Sequence, residues 1–106
     1  MSDLLLVMTT ITDDRAAELA RILVDERLAA CVNVHAPMTS TYRWNGRVEQ
    51  DAERQLLIKT TATRLPELEA RIRQLHPYEL PEFVVLRPDS ASAAYVAWVR
   101  GETQEA

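Results

Sequence analysis

The apolar positions of this 106-residue chain change period as they are followed along it. Leu4 to Met8 is an unbroken apolar run of strand length, and continuous rather than alternating apolarity predicts a strand buried on both faces. Thr12, Asp13 and Asp14 then supply a cap and first-turn acid, and Ala16, Leu19, Ala20 and Leu23 follow at helical spacing, predicting a helix to about Arg27. Cys31 to Val34 opens a second strand that Pro37 must interrupt, because proline has no ladder donor. The strand resumes through Ser40, Tyr42 and Trp44 until Asn45-Gly46, a pair that tolerates positive φ and predicts a two-residue hairpin. The returning strand runs from Arg47 through Glu53 to Lys59. Its two arms are about a dozen residues each, where strands are usually nearer five or six, so they overhang their neighbours.

A second helix is predicted from a Thr63 cap, with Pro66 in its first turn and Leu65, Leu68, Ile72 and Leu75 as its apolar stripe. It stops at His76, which Pro77 forces out of helical conformation. Phe83 to Leu86 is a fourth, again continuously apolar strand. Ser90 or Ser92 starts a short third helix carrying Tyr95, Val96, Trp98 and Val99 and closing near Gly101. The order βαββαβ plus a C-terminal helix is that of an α+β, ferredoxin-like domain with long β-hairpin arms.

In such a domain the two crossover helices cover one face of the sheet, and the other face should alternate polar with apolar. These strands do not alternate, and the third helix is too short to cover the second face. An exposed apolar face and open hairpin edges predict a homo-oligomer.

Composition narrows the function. A chain of this length holds one core, and 47% hydrophobic with 26% charged residues fits an ordered globular domain, residues 1–106 being read as one. The net charge of -4 supplies no cationic surface for a phosphate backbone, so nucleic acid is not an expected partner. The Leu4–Met8 run is too short for a membrane span or signal segment, which predicts a cytoplasmic protein with no membrane partner. Cys31 is the only cysteine, so no cysteine zinc site and no intrachain disulfide can form. The two glycines, Gly46 and Gly101, leave none for a phosphate-cradling loop.

The chain resembles the CutA divalent-cation-tolerance family from end to end. The resemblance rests on LAACVNV at Leu28 to Val34, on Ser40, Tyr42, Trp44 and Gly46, and on Glu53 before LLIKT. HPYELPE at His76 to Glu82, and Tyr95 with Trp98, complete it. It implies a PII-like homotrimer joined by the hairpin arms and C-terminal helix, and a role in tolerance of divalent metals, copper being the ion most often named. Copper ligation in the family is credited to a Cys on the first strand and two adjacent His before Pro-Tyr. Here Met8 stands in the Cys place and Leu75 in the first His place, and only His76 matches. No cofactor is implied as required, copper or another divalent cation being the candidate ligand.

The residues themselves leave two readings of the HPYELPE loop open. It presents His76, Tyr78, Glu79 and Glu82 at an inter-subunit pocket shared with Tyr42, Trp44, Glu53, Lys59 and Trp98, or it is a rigid turn whose Lys59–carboxylate pair specifies an interface. The aromatics read as interface packing, Met8 as core filling that retains a thioether for copper(I), and Cys31 as an inert buried thiol. Glu49, Asp51 and Glu53 alternate on one side of the hairpin and read as a solvated face. Cys31 and His35, four apart in a strand, stand about 13 Å from each other and cannot share an ion. No nucleophile or cofactor motif accompanies His76, Glu79 and Glu82, so a non-enzymatic binding or scaffold protein is expected, with a PII-like small-molecule sensor as the alternative.

Overall fold

A computed structural model describes residues 3–104 of the chain. These residues form a five-stranded antiparallel sheet and three helices, in the order β1 (Leu4–Ile11), α1 (Asp13–Asp25), β2 (Cys31–Val34), β3 (Met38–Trp44), β4 (Arg47–Thr61), α2 (Leu65–Leu75), β5 (Val84–Leu86) and α3 (Ala93–Glu102). Strand order is β2-β4-β1-β5, with β3 also on β4. The long β4 organises everything. Its second half pairs with β1 from Arg54 to Thr61 and with β2 from Leu56 to Lys59, while its first half, Arg47 to Glu53, pairs with β3 alone. Pro37 separates β2 from β3, so the two lie end to end along one edge of β4, as the missing proline donor requires.

The core lies between one sheet face and two helices. Val7 and Ile11 of β1 and Leu56 and Ile58 of β4 meet Ala16, Leu19 and Leu23 of α1 and Leu68 and Ile72 of α2, all buried. At the hairpin tip Asn45 and Gly46 both have positive φ, 51° and 78°, the requirement of a type I′ turn. Ser92 caps α3 by accepting a hydrogen bond from the Tyr95 amide at 3.2 Å. His76 ends α2 in extended conformation before Pro77.

Several expectations are corrected. β1 continues to Ile11, and its pattern alternates between buried and half-buried positions rather than being buried on both faces. β5 is shorter than expected, begins after Phe83, and exposes Val84 and Leu86. The second face is therefore apolar but largely uncovered in the single chain, since α3 packs only at its Leu4 end, where Leu4, Ala30 and Val99 form a small separate cluster. α2 is preceded by Arg64 rather than by a Thr63 cap. The buried Arg64 is helical in conformation and its guanidinium bonds the Arg27 carbonyl and Glu67.

α1 stops at Asp25, before Arg27, which takes φ of 61°. The Leu28 amide reaches back to the Leu23 carbonyl and the Arg27 amide to the Val24 carbonyl, each at 3.0 Å, a Schellman closure built on arginine where glycine is usual.

Candidate functional site

Hairpin register determines what faces the site. With Trp44 opposite Arg47, Tyr42 pairs with Glu49, Ser40 with Asp51 and Met38 with Glu53, so all of these share one face of the arm. Alternation carries that face along β4 through Gln55 to Lys59, which is the sheet face away from α1 and α2. The loop between α2 and β5 folds back against it. Between arm and loop lies a cavity of about 700 Å³ lined by Thr10, Ser40, Tyr42, Trp44, Glu53, Tyr78, Glu79, Leu80, Pro81, Glu82, Phe83 and Val84.

Glu53 does not belong to a solvated acidic face. It is 7% exposed, and its Oε2 accepts a hydrogen bond from the Tyr78 hydroxyl at 2.5 Å. Tyr78 is set by His76. The Tyr78 amide donates to His76 Nδ1 at 3.1 Å, and the two rings meet edge to face with centroids 4.5 Å apart. Since Nδ1 accepts, Nε2 carries the proton and donates to the Thr10 carbonyl at 2.7 Å. Burial pushes the His76 pKa below its ordinary 6.5, outweighing the opposing Thr10 bond and Glu53 charge. The neutral ring thus ties the loop to β1.

The other polar groups are held in a similar way. Gln55 donates to the Thr9 carbonyl at 2.8 Å and to Glu82 at 3.1 Å, fixing that carboxylate. The Tyr42 hydroxyl donates to Asp51, and this bond is the main reason its pKa is pushed up to about 12. The Tyr78 phenol is pushed up by burial first and by its bond to Glu53 second. Both phenols stay protonated and act as donors.

Tyr42, Trp44, Glu53, Tyr78, Glu79 and Glu82 therefore meet around one cavity within one chain. His76 stands behind Tyr78 and outside the lining. Lys59 and Trp98 lie elsewhere. Lys59 is six residues from Glu53 along β4, about 20 Å, and its ammonium donates to Asn33 rather than to a carboxylate. Trp98 is exposed on α3, its ring 5.6 Å from that of Tyr95, on the helix that packs at the Leu4 end of the sheet. Met8 is half-buried on β1, opposite Leu57 and Val84. Sequence reasoning missed Gln55, Thr10 and Phe83; the first was within reach, because alternation from Glu53 puts Gln55 on the same face.

A metal fits this donor set poorly. Both His76 ring nitrogens are engaged, and among the described residues no three His, Cys, Asp or Glu side chains converge as ligands. Nor does the cavity present a nucleophile paired with a base, since no histidine lines it and Cys31 lies on β2, its sulfur 4.0 Å from the Lys59 ammonium. The arrangement suits binding.

A ferredoxin-like sheet with an overhanging hairpin defines a PII-like class, and the comparisons agree. A solved structure described as the PII-like protein CutA from Nostoc sp. superposes with a TM-score of 0.90 at 39% identity, covering 94% of this chain and 97% of that one. The CutA1 divalent ion tolerance protein family matches residues 4–102, and the chain belongs to that family. The divalent-cation tolerance protein CutA of Thermus thermophilus is 43% identical over 97 residues, 92% of this chain and 94% of that protein. Protein CutA of Homo sapiens is 42% identical over 89 residues, and there the match spans 84% of this chain but only half of the relative's length.

Proposed function

We propose that this protein serves divalent-cation tolerance as a non-enzymatic cytoplasmic homotrimer that binds its ligand without converting it. One observation carries the assembly. The sheet face away from α1 and α2 leaves Val84 44% and Leu86 41% exposed, and α3 beside it leaves Trp98 45% exposed, a surface that two further copies of the chain would cover. Assembly on that face would also be the only means of bringing a Lys59 or a Trp98 to the cavity, from a neighbouring copy. Copper enters this reading as a weak ligand of His76, with the Met8 thioether as a soft donor for copper(I); binding at His76 displaces the Thr10 or Tyr78 contact.

The reading is tested by complementing a deletion strain under copper(II) challenge with the wild-type chain and with Leu86→Glu. Tolerance should return with the first and not with the second. Equal growth of the deletion strain and its parent under metal would defeat the proposal. A PII-like sensor working through the same cavity is the second reading, favoured by the cavity's volume, which falls in the range of small-molecule sites.

A further inference from the structure

The wall of the cavity carries three carboxylates, Glu53, Glu79 and Glu82, and no lysine, arginine or histidine. Of the three, Glu53 is the most deeply placed. It is 7% exposed, and only Oε2 has a donor, the Tyr78 hydroxyl. Its Oε1 meets no hydrogen-bond donor among the described residues, and no arginine or lysine pairs with it there. Oε1 opens onto the cavity, so the wall presents negative charge there with no cation of its own beside it.

The rest of the wall specifies which cation would complete it. An inorganic divalent ion needs several convergent oxygen or nitrogen ligands, and the described acids and histidines do not converge in that way. An organic cation needs less. One carboxylate for its head and aromatic faces for its spread charge and apolar body are enough. Tyr42, Trp44 and Phe83 supply those faces in the same wall. A phosphate or carboxylate ligand would meet three carboxylates and no cationic side chain in this wall.

We infer that this cavity takes an organic cation, an ammonium or guanidinium head on an apolar or aromatic body, with the head at Glu53 and the body toward Tyr42 and Trp44. The inference rests on reading the cavity as the ligand site and adds the charge and class of the ligand. Glu82, held by Gln55, reinforces the field.

Benzamidinium and benzoate, alike in shape and opposite in charge, are the probes, titrated into the intact protein carrying Trp98→Phe so that Trp44 alone reports by fluorescence. Benzamidinium should change the emission saturably and bind at least about tenfold more tightly than benzoate. Glu53→Gln should weaken benzamidinium by about tenfold or more, and Glu82→Gln by less; both losses are read against an unchanged circular dichroism spectrum. If Glu53→Gln fails to fold, a fall in benzamidinium affinity with rising salt carries the same expectation. Preference for benzoate overturns the charge assignment and leaves a ligand cavity standing. A cavity that binds neither probe, as when a neighbouring copy's cationic side chain already fills it, overturns the inference, while the metal-tolerance assay reads the proposed function independently.

Discussion

The two halves of β4 face opposite demands. From Arg54 to Thr61 the strand lies between β1 and β2, and Leu56 and Ile58 are fully buried against α1 and α2. From Arg47 to Glu53 it has β3 on one side only, and every residue except Glu53 is exposed. One continuous strand thus serves as core and as projecting arm, and the 44 Å long axis of the molecule against 28 and 23 Å for the others reflects its elongation. The contrast separates what stabilises the chain from what gives it a site. The helix-covered half supplies folding free energy, whereas the arm contributes little to the core and frames the cavity. Glu53 sits at the junction, the last residue of the arm to pair with β3, and its buried carboxylate belongs to the site rather than to the core.

The sharpest way to break this comparison is to truncate one residue in the helix-covered half of β4 and one in the β3 strand of the arm. Ile58→Ala should destabilise by about 2–5 kcal/mol, the cost of a buried cavity, whereas Thr39→Ala in the exposed arm should change stability by about 0.5 kcal/mol or less; urea denaturation reads both. At the junction, Tyr78→Phe removes the only donor to Glu53 among the described residues and should cost about 1–3 kcal/mol in the same assay. If it costs nothing, Glu53 is not held in the manner described.

His76 sharpens the comparison through pH. Its pKa is lowered in the folded chain, so the unfolded chain binds the proton more tightly. The stabilisation from the neutral ring is therefore complete above the unfolded value near 6.5 and falls as pH drops from there to the folded pKa. Thermal melts of the wild type should show this decline below pH 6.5, and His76→Gln should flatten it. The smallest effect lies in the body, far from the arm. Arg27→Gly should stabilise by roughly 0.5–1 kcal/mol, since Arg27 holds a left-handed conformation that glycine adopts freely, and its exposed ion pair with Glu102 offsets little.

Most of the fold was legible because its punctuation is local. Asn45-Gly46 set the hairpin, Pro37 split its first arm, Ser92 capped α3, and Pro77 stopped α2 at His76. What escaped were features made by distant partners. Arg64 takes the position before α2 because its guanidinium reaches the Arg27 carbonyl, thirty-seven residues away. The end of α1 carries no glycine to announce it. Period-two alternation shows Glu53 on the same side as Glu49 and Asp51 but is silent on the loop that folds over it, since the His76–Thr10, Tyr78–Glu53 and Gln55–Glu82 bonds bring that loop back. For the same reason the expected meeting of Lys59 and Trp98 with the loop does not occur within one chain. Lys59 lies six residues along β4 from Glu53, and Trp98 lies on α3 at the Leu4 end of the sheet.

The proposed assembly rests on the uncovered sheet face, and native mass spectrometry of the purified protein at micromolar concentration tests it most directly. A dominant species at three times the chain's 12.0 kDa, falling to a single chain for Leu86→Glu, is the expected result. A wild-type protein that runs as a stable single chain would contradict the account.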